Sequence, residues 1–119
     1  MNSLEHLLQT LHHSPELIAF DDVIAAINAH YDYVATGFYN GVGEDPVWNA
    51  PGTNAGSCRI FAFAHLHGLD EDTTLACFGH YYRDDVLKFP ANSDHANIRR
   101  FMRDGWAGIR FEGEALRPL

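Results

Sequence analysis

Between Asn54 and Leu69 the chain passes without a break from a polar, glycine-punctuated loop into a segment that is apolar on nearly every side: Asn54-Ala55-Gly56-Ser57-Cys58-Arg59-Ile60-Phe61-Ala62-Phe63-Ala64-His65-Leu66-His67-Gly68-Leu69. A surface helix shows one apolar stripe, whereas Ile60, Phe61, Phe63, Ala64 and Leu66 point in several directions around the helix axis. Such a helix belongs in the middle of a fold. Ser57 is the expected cap at its start, and Gly68 followed by apolar Leu69 is a glycine-type stop. The prediction is a central buried helix over residues 57–67, with the other elements assembled around it.

The flanking sequence supplies those elements. Leu4, Leu7, Leu8 and Leu11 recur at helical spacing after Ser3, which predicts a first docking helix. Ser14-Pro15 reads as a cap followed by proline at the first helical position, leading to an apolar stripe of Leu17, Phe20, Val23, Ile24 and Ile27 that runs toward Tyr31 and is open to a break near Asp21. Tyr33 to Tyr39 is aromatic and β-branched and reads as extended, with a turn at Asn40-Gly41. From Gly41 to Gly56 there are four glycines, two prolines, two asparagines and Trp48 with no periodicity, which predicts a long loop and a candidate lid that Trp48 anchors on the core. Asp70, Glu71 and Asp72 open a further helix carrying Leu75, Phe78 and Tyr82, with Gly79 permitting close approach. Asp84 to Phe89 adds a turn before Pro90. Ser93 or Asp94 opens the last helix, with Ile98, Phe101 and Met102 inward and Gly105-Trp106 closing it. Ile109 and Phe111 alternate with Arg110 and Glu112 as a terminal strand expected to pair with residues 34–39. The expected fold is α+β and mainly α-helical, with about four to five helices around the central one and a small two- or three-stranded sheet, in a single domain spanning residues 1–119.

Charge is divided unevenly. Residues 1–58 contain no Lys or Arg but carry Glu5, Glu16, Asp21, Asp22, Asp32, Glu44 and Asp45, and all eight basic residues lie between Arg59 and Arg117. Nucleic acid would be repelled by the first half, and no basic stripe stands out in the second. The cluster Arg99, Arg100 and Arg103 is expected to form a solvated helix face meeting the acidic half. The longest apolar run, Ile60 to Ala64, is too short to cross a bilayer. Met1-Asn2-Ser3-Leu4-Glu5-His6 shows neither a basic region nor a continuous apolar core, so a cytoplasmic start and thiols in the reduced state, Cys58 and Cys77, are expected.

Long words of this sequence have the order of a known family. They are Phe20-Asp21-Asp22, Tyr31-Asp32-Tyr33 through Phe38-Tyr39-Asn40-Gly41, Gly56-Ser57-Cys58-Arg59-Ile60-Phe61-Ala62-Phe63-Ala64, Leu75-Ala76-Cys77-Phe78-Gly79, Tyr81-Tyr82-Arg83-Asp84-Asp85-Val86-Leu87, and His95-Ala96-Asn97-Ile98-Arg99-Arg100-Phe101-Met102 through Gly113. Over nearly its whole length the chain resembles the HopJ type III effector family. The resemblance implies delivery from a bacterium into a host cell through a type III apparatus; it implies no particular reaction or cofactor.

Two constellations carry chemistry. Cys58, expected in the first turn of the central helix, would have its thiolate stabilised by the unpaired N–H groups there, with His80 as base and Asp84, four residues on, to orient it; such a trio would support a cysteine-dependent hydrolase or transferase. Against it stands a binding surface of Tyr81, Tyr82, Arg83, His95, Arg99 and Trp106, joined by Trp48 and Asn54 of the long loop, built of residue types that anchor interfaces. His65 and His67 are two apart and diverge on a helix, so no metal is expected; no cofactor is expected either. The reading favoured by the sequence is a small binding protein with a protein or peptide partner, a host protein if exported.

Overall fold

The computed structural model describes residues 3–119. Met1 and Asn2, the first two residues of the amino-terminal segment read above as leaderless, lie outside the described residues. The chain folds as an α+β structure that is mainly helical. Its elements are helix α1 (Ser3–His13), a 3-10 turn (Pro15–Leu17), α2 (Phe20–His30), β1 (Tyr31–Tyr33), β2 (Phe38–Asn40), β3 (Val47–Asn49), α3 (Ala55–Leu66), α4 (Glu71–Ala76), a π turn (Tyr81–Val86), α5 (Ala96–Asp104), a second 3-10 turn (Gly105–Gly108), β4 (Ile109–Phe111) and β5 (Leu116–Pro118). Among the described residues no helix is long and apolar enough to cross a membrane.

Helix α3 is the axle. Cys58, Ile60, Phe61, Ala62, Phe63 and Ala64 are all buried along it. The ring of Phe61 meets Phe38 from β2, Phe78 after α4, Phe101 from α5 and Trp106 beyond it, with centroids 5.9, 5.5, 5.0 and 6.4 Å away. Rings that converge from so many elements explain why a helix without a polar face is the central one. At its carboxyl end the Leu69 N–H donates to the Ala64 carbonyl and the Gly68 N–H to that of His65, with Gly68 at φ 61°. This is the paired closure that glycine permits. Leu66, counted among the apolar residues of the axle, is exposed.

The helix starts differ from the expected ones. Pro15 opens no long helix: it makes one 3-10 turn, leaving Leu17 72% exposed, and α2 begins anew at Phe20 with Asp21 and Asp22 in its first turn. Helix α3 starts three residues earlier than a Ser57 cap would place it, with Asn54 at the cap position, and α5 starts after His95, not after Ser93 or Asp94. The helix of Leu75, Phe78 and Tyr82 is not continuous. Gly79 takes φ 58°, and a Cβ there would lie 2.7 Å from the backbone nitrogen of Phe20, so the chain breaks at the point of closest approach and resumes as the π turn, marked by the Leu87 N–H donating to the Tyr82 carbonyl. On α5 the inward positions are Asn97, Ile98 and Phe101, while Met102 is exposed.

Strand β2 pairs antiparallel with β3 on one side and β4 on the other, with Tyr39 opposite both Trp48 and Arg110. The pairing of the terminal strand with the segment before Gly41 is therefore as expected. The expected long loop contains β3, which its two prolines and lack of periodicity concealed. Trp48 does not anchor this segment in the core: it is 45% exposed on the outer face of the sheet, its ring tilted against that of Tyr39 with centroids 4.7 Å apart. A second antiparallel pair joins β1 to β5.

The basic cluster meets the acidic half at one backbone group, the Val42 carbonyl, to which Arg100 donates at 3.2 Å, and among the described residues it pairs with none of that half's acids. Arg99 pairs with Asp94 at 2.6 Å, and Arg103 and Arg100 converge on nearly covered Asp104 at 2.9 and 2.7 Å. The Asp104 carboxylate, held well below the usual carboxylate range by Arg103 and Arg100, also accepts from the Val42 N–H and so ties the turn after β2 to α5.

Candidate functional site

Two helices begin at one cavity. A space of about 380 Å³ lies where the amino ends of α3 and α5 face the π turn, lined by Asn54, Gly56 and Ser57 from the first, His95, Ala96, Asn97 and Ile98 from the second, Tyr81 from the π turn, and Phe20, Val47 and Phe78 as apolar walls. The cap residues of both helices have left-handed backbones, Asn54 at φ 49° and His95 at φ 53°, and among the described residues these are the non-glycine positions with positive φ. Neither side chain bonds to an N–H of its helix. The first-turn N–H groups of a helix have no partner inside it, so both starts present donors and the positive ends of two dipoles at the cavity.

The site is held from behind by buried amides. Asn49 and Asn97 pair reciprocally: the Asn97 Nδ2 donates to the Asn49 Oδ1 at 2.8 Å, and the Asn49 Nδ2 to the Asn97 Oδ1 at 3.1 Å. Asn40 donates to the Asn97 backbone carbonyl at 2.9 Å and to its side chain at 3.1 Å. Asn54 donates to the Asn49 Oδ1 at 2.7 Å, which fixes the left-handed start of α3 to the sheet. Asn40, Asn49 and Asn97 are all buried, and the Asn40 Oδ1 has no hydrogen-bond partner. An amide network inside an apolar core is costly unless satisfied and rigid when it is. Here it locks β2, β3 and the first turn of α5 into one unit. Asn40, Asn49 and Asn97 were not among the residues marked from the sequence. Their signal was position: Asn40 lies two residues from Phe38 and Asn49 two from Val47 on strands, and Asn97 four from Phe101 on a helix, each on the inward face.

The rim is aromatic and charged. Tyr81 stands between His80, with ring centroids 4.2 Å apart, and His95 at 5.2 Å, and packs edge-on against Phe20 at 5.1 Å. His95 meets Asp85 at 3.0 Å.

Of the residues marked from the sequence as binding, the fold brings Asn54, Tyr81 and His95 together at the cavity. Tyr82 is half-buried in the π turn, its hydroxyl pushed up by burial. Arg83 donates to the carbonyl of Ile18 at 2.7 Å and pins the turn before α2. Arg99 holds the loop before α5 through Asp94 and the Pro90 carbonyl. Trp106 donates its indole N–H to the Leu69 carbonyl at 3.0 Å and lines a separate hollow with Leu66, Ile109 and Phe111. Trp48 stays on the outer sheet face.

The three residues marked for thiol chemistry stand as follows. Cys58 is the fourth residue of α3, its N–H already bonded to the Asn54 carbonyl at 3.0 Å. Its side chain is 1% exposed and donates to the Thr36 carbonyl at 3.5 Å, and burial pushes the thiol up. His80 is exposed against Tyr81. Asp84 is taken by Lys88 at 3.0 Å. Cys77 is likewise pushed up by burial, to about 12.

A family model described as HopJ type III effector protein matches residues 4–116 of the chain. Among solved structures, a crystal structure of the unknown-function protein VPA0580 is similar over 100% of this chain and 95% of its own, with 47% sequence identity and a TM-score of 0.93. Nothing among the curated proteins matches.

Proposed function

The chain belongs to the HopJ type III effector family, and from that footing we propose that it acts by binding, taking a side-chain-sized group of a partner protein or peptide into the cavity between the starts of α3 and α5. The observation that carries this reading is the convergence of two uncapped, left-handed helix starts on one hollow walled by Phe20, Phe78 and Tyr81. Apolar walls with a few fixed polar groups are how ligand sites are commonly built, and about 380 Å³ is at the small end of their range. The donors fit a carbonyl or carboxylate next to an aromatic or aliphatic group. A peptide anchor has that chemistry. The family's description as a type III effector supports a host-cell protein, met after export, as the partner. Thiol catalysis at Cys58 is the alternative, and the buried, raised thiol supports binding over it.

Amide chemical-shift mapping with short peptides carrying phenylalanine next to glutamate tests both readings. Shifts confined to Ser57, Tyr81, Ala96 and Asn97, and abolished by the cavity-filling variant Ala96→Leu, are the expected outcome. No shift with any such peptide, combined with rapid alkylation of Cys58 in the folded protein near neutral pH, would overturn the binding reading in favour of the thiol.

A further inference from the structure

We propose that the groove between α1 and α2 docks a cationic amphipathic helix of a partner protein. It shares no lining residue with the cavity above and encloses about 920 Å³. One wall is the face of α1 bearing His6, Leu7, Thr10 and His13; the other is the face of α2 bearing Asp22, Ala25, Ala26 and Ala29. The two helices run antiparallel, since the Ser3 hydroxyl at the start of α1 meets His30 at the end of α2 at 2.8 Å. Each helix has eleven residues, so the groove is about 16 Å long, room for about three turns of a third helix. Exposed Ala25 and Ala29 let a backbone come close, and Leu17, 72% exposed, stands at one end as an apolar contact.

Charge selects the occupant. Glu16, Asp21 and Asp22 are exposed around the Leu17 end and hold no ion pair among the described residues: Arg99, Arg100, Arg103 and Arg117 pair with acids of the second half of the chain, and Arg59 donates to the Asn28 Oδ1 near the far end of α2 and lies over the Tyr33 ring. Arg83 reaches this region from the π turn, but its guanidinium donates to the carbonyls of Pro15 and Ile18 beneath the turn. No lysine or arginine lies in residues 1–58. An apolar floor with an acidic margin complements a helix with leucine and alanine on one face and lysine beside them, and it disfavours an acidic one.

The test uses the full chain and fluorescence anisotropy with labelled synthetic helices of about sixteen residues: a lysine-leucine-alanine amphipathic peptide, its glutamate counterpart, and a scrambled lysine peptide without an apolar face. The lysine helix should bind about tenfold or more tighter than either control, and more weakly as salt is raised. Leu17→Ala and Ala29→Lys, both at exposed positions, should each weaken it by about tenfold while leaving the circular dichroism unchanged. Equal binding of the glutamate helix, equal binding of the scrambled peptide, or indifference to both substitutions overturns the proposal. So does sedimentation showing a dimer that Ala29→Lys dissociates, since a second copy would then be the occupant.

Discussion

Helix α4 and helices α3 and α5 begin in opposite ways. At α4, Asp70 has an extended backbone and its carboxylate accepts from the Thr73 N–H at 2.8 Å, closing the helix start with its own side chain. At α3 and α5, Asn54 and His95 are forced into the left-handed region and turn their side chains elsewhere, to Asn49 and to Asp85. A capping side chain stabilises a helix by about 1 kcal/mol, and a left-handed non-glycine residue costs about as much. Two starts that forgo the first and carry the second both face one hollow, and at α3 the side chain given up as a cap ties the start to the sheet instead. The starts with better local chemistry were available in the sequence, at Ser57 and at Ser93, and were not used.

The largest way to break that contrast is to remove the amides that hold the open starts in place. Asn97→Leu removes the side-chain acceptor used by one N–H of Asn40 and one of Asn49, while Asn40 keeps its bond to the backbone carbonyl of residue 97, and the loss should cost on the order of 2 kcal/mol. Urea unfolding should show this loss with an unchanged slope. A loss below about 0.5 kcal/mol would mean that the network holds nothing.

At the closed start the expected effect is smaller. Asp70→Ala should lose about 1 kcal/mol and leave peptide shifts at the cavity unchanged. The Thr73 N–H holds the Asp70 carboxyl below its ordinary value. Stability from a depressed acid is present above its unfolded value and is lost as pH falls through the folded one, so the difference between wild type and variant should be constant near neutrality and shrink below about pH 4. A difference that persisted at lower pH would show that the carboxylate charge is not what caps α4.

What was legible in the sequence follows the same division. The axle was legible because a helix apolar all round has one place to go, and its glycine stop because Gly68 and Leu69 are adjacent to the atoms they close. The pairing of β4 with β2 could be read from alternation and a turn. Hidden were β3, three residues long and given its conformation by Phe38 and Tyr39 across the sheet, and the left-handed starts, for which local preference pointed elsewhere. Asn97 reaches partners 48 and 57 positions away in sequence, a contact that no local pattern records. Three of the candidate binding residues, Asn54, Tyr81 and His95, fell at the cavity, although they had been marked as interface-type residues and as part of the long loop, not as helix starts. The five that fell elsewhere have structural partners that composition does not show.

His95→Gly gives the smallest change in stability and the sharpest reading. Glycine relieves the left-handed strain at φ 53°, a gain of about 1 kcal/mol, but it also loses the exposed contact with Asp85 and makes the unfolded chain more flexible, costs of similar size. Thermal unfolding should therefore move little, within about 0.5 kcal/mol in stability terms. Peptide binding at the cavity should nevertheless fall, because the imidazole beside Tyr81 is removed from its rim while the backbone geometry is kept. At α4 the matching change, Asp70→Gly, should alter stability by a few tenths of a kcal/mol and binding by nothing. If both glycines were silent toward the peptide, the two kinds of helix start would differ in shape alone, and the left-handed pair would need a reason within the fold.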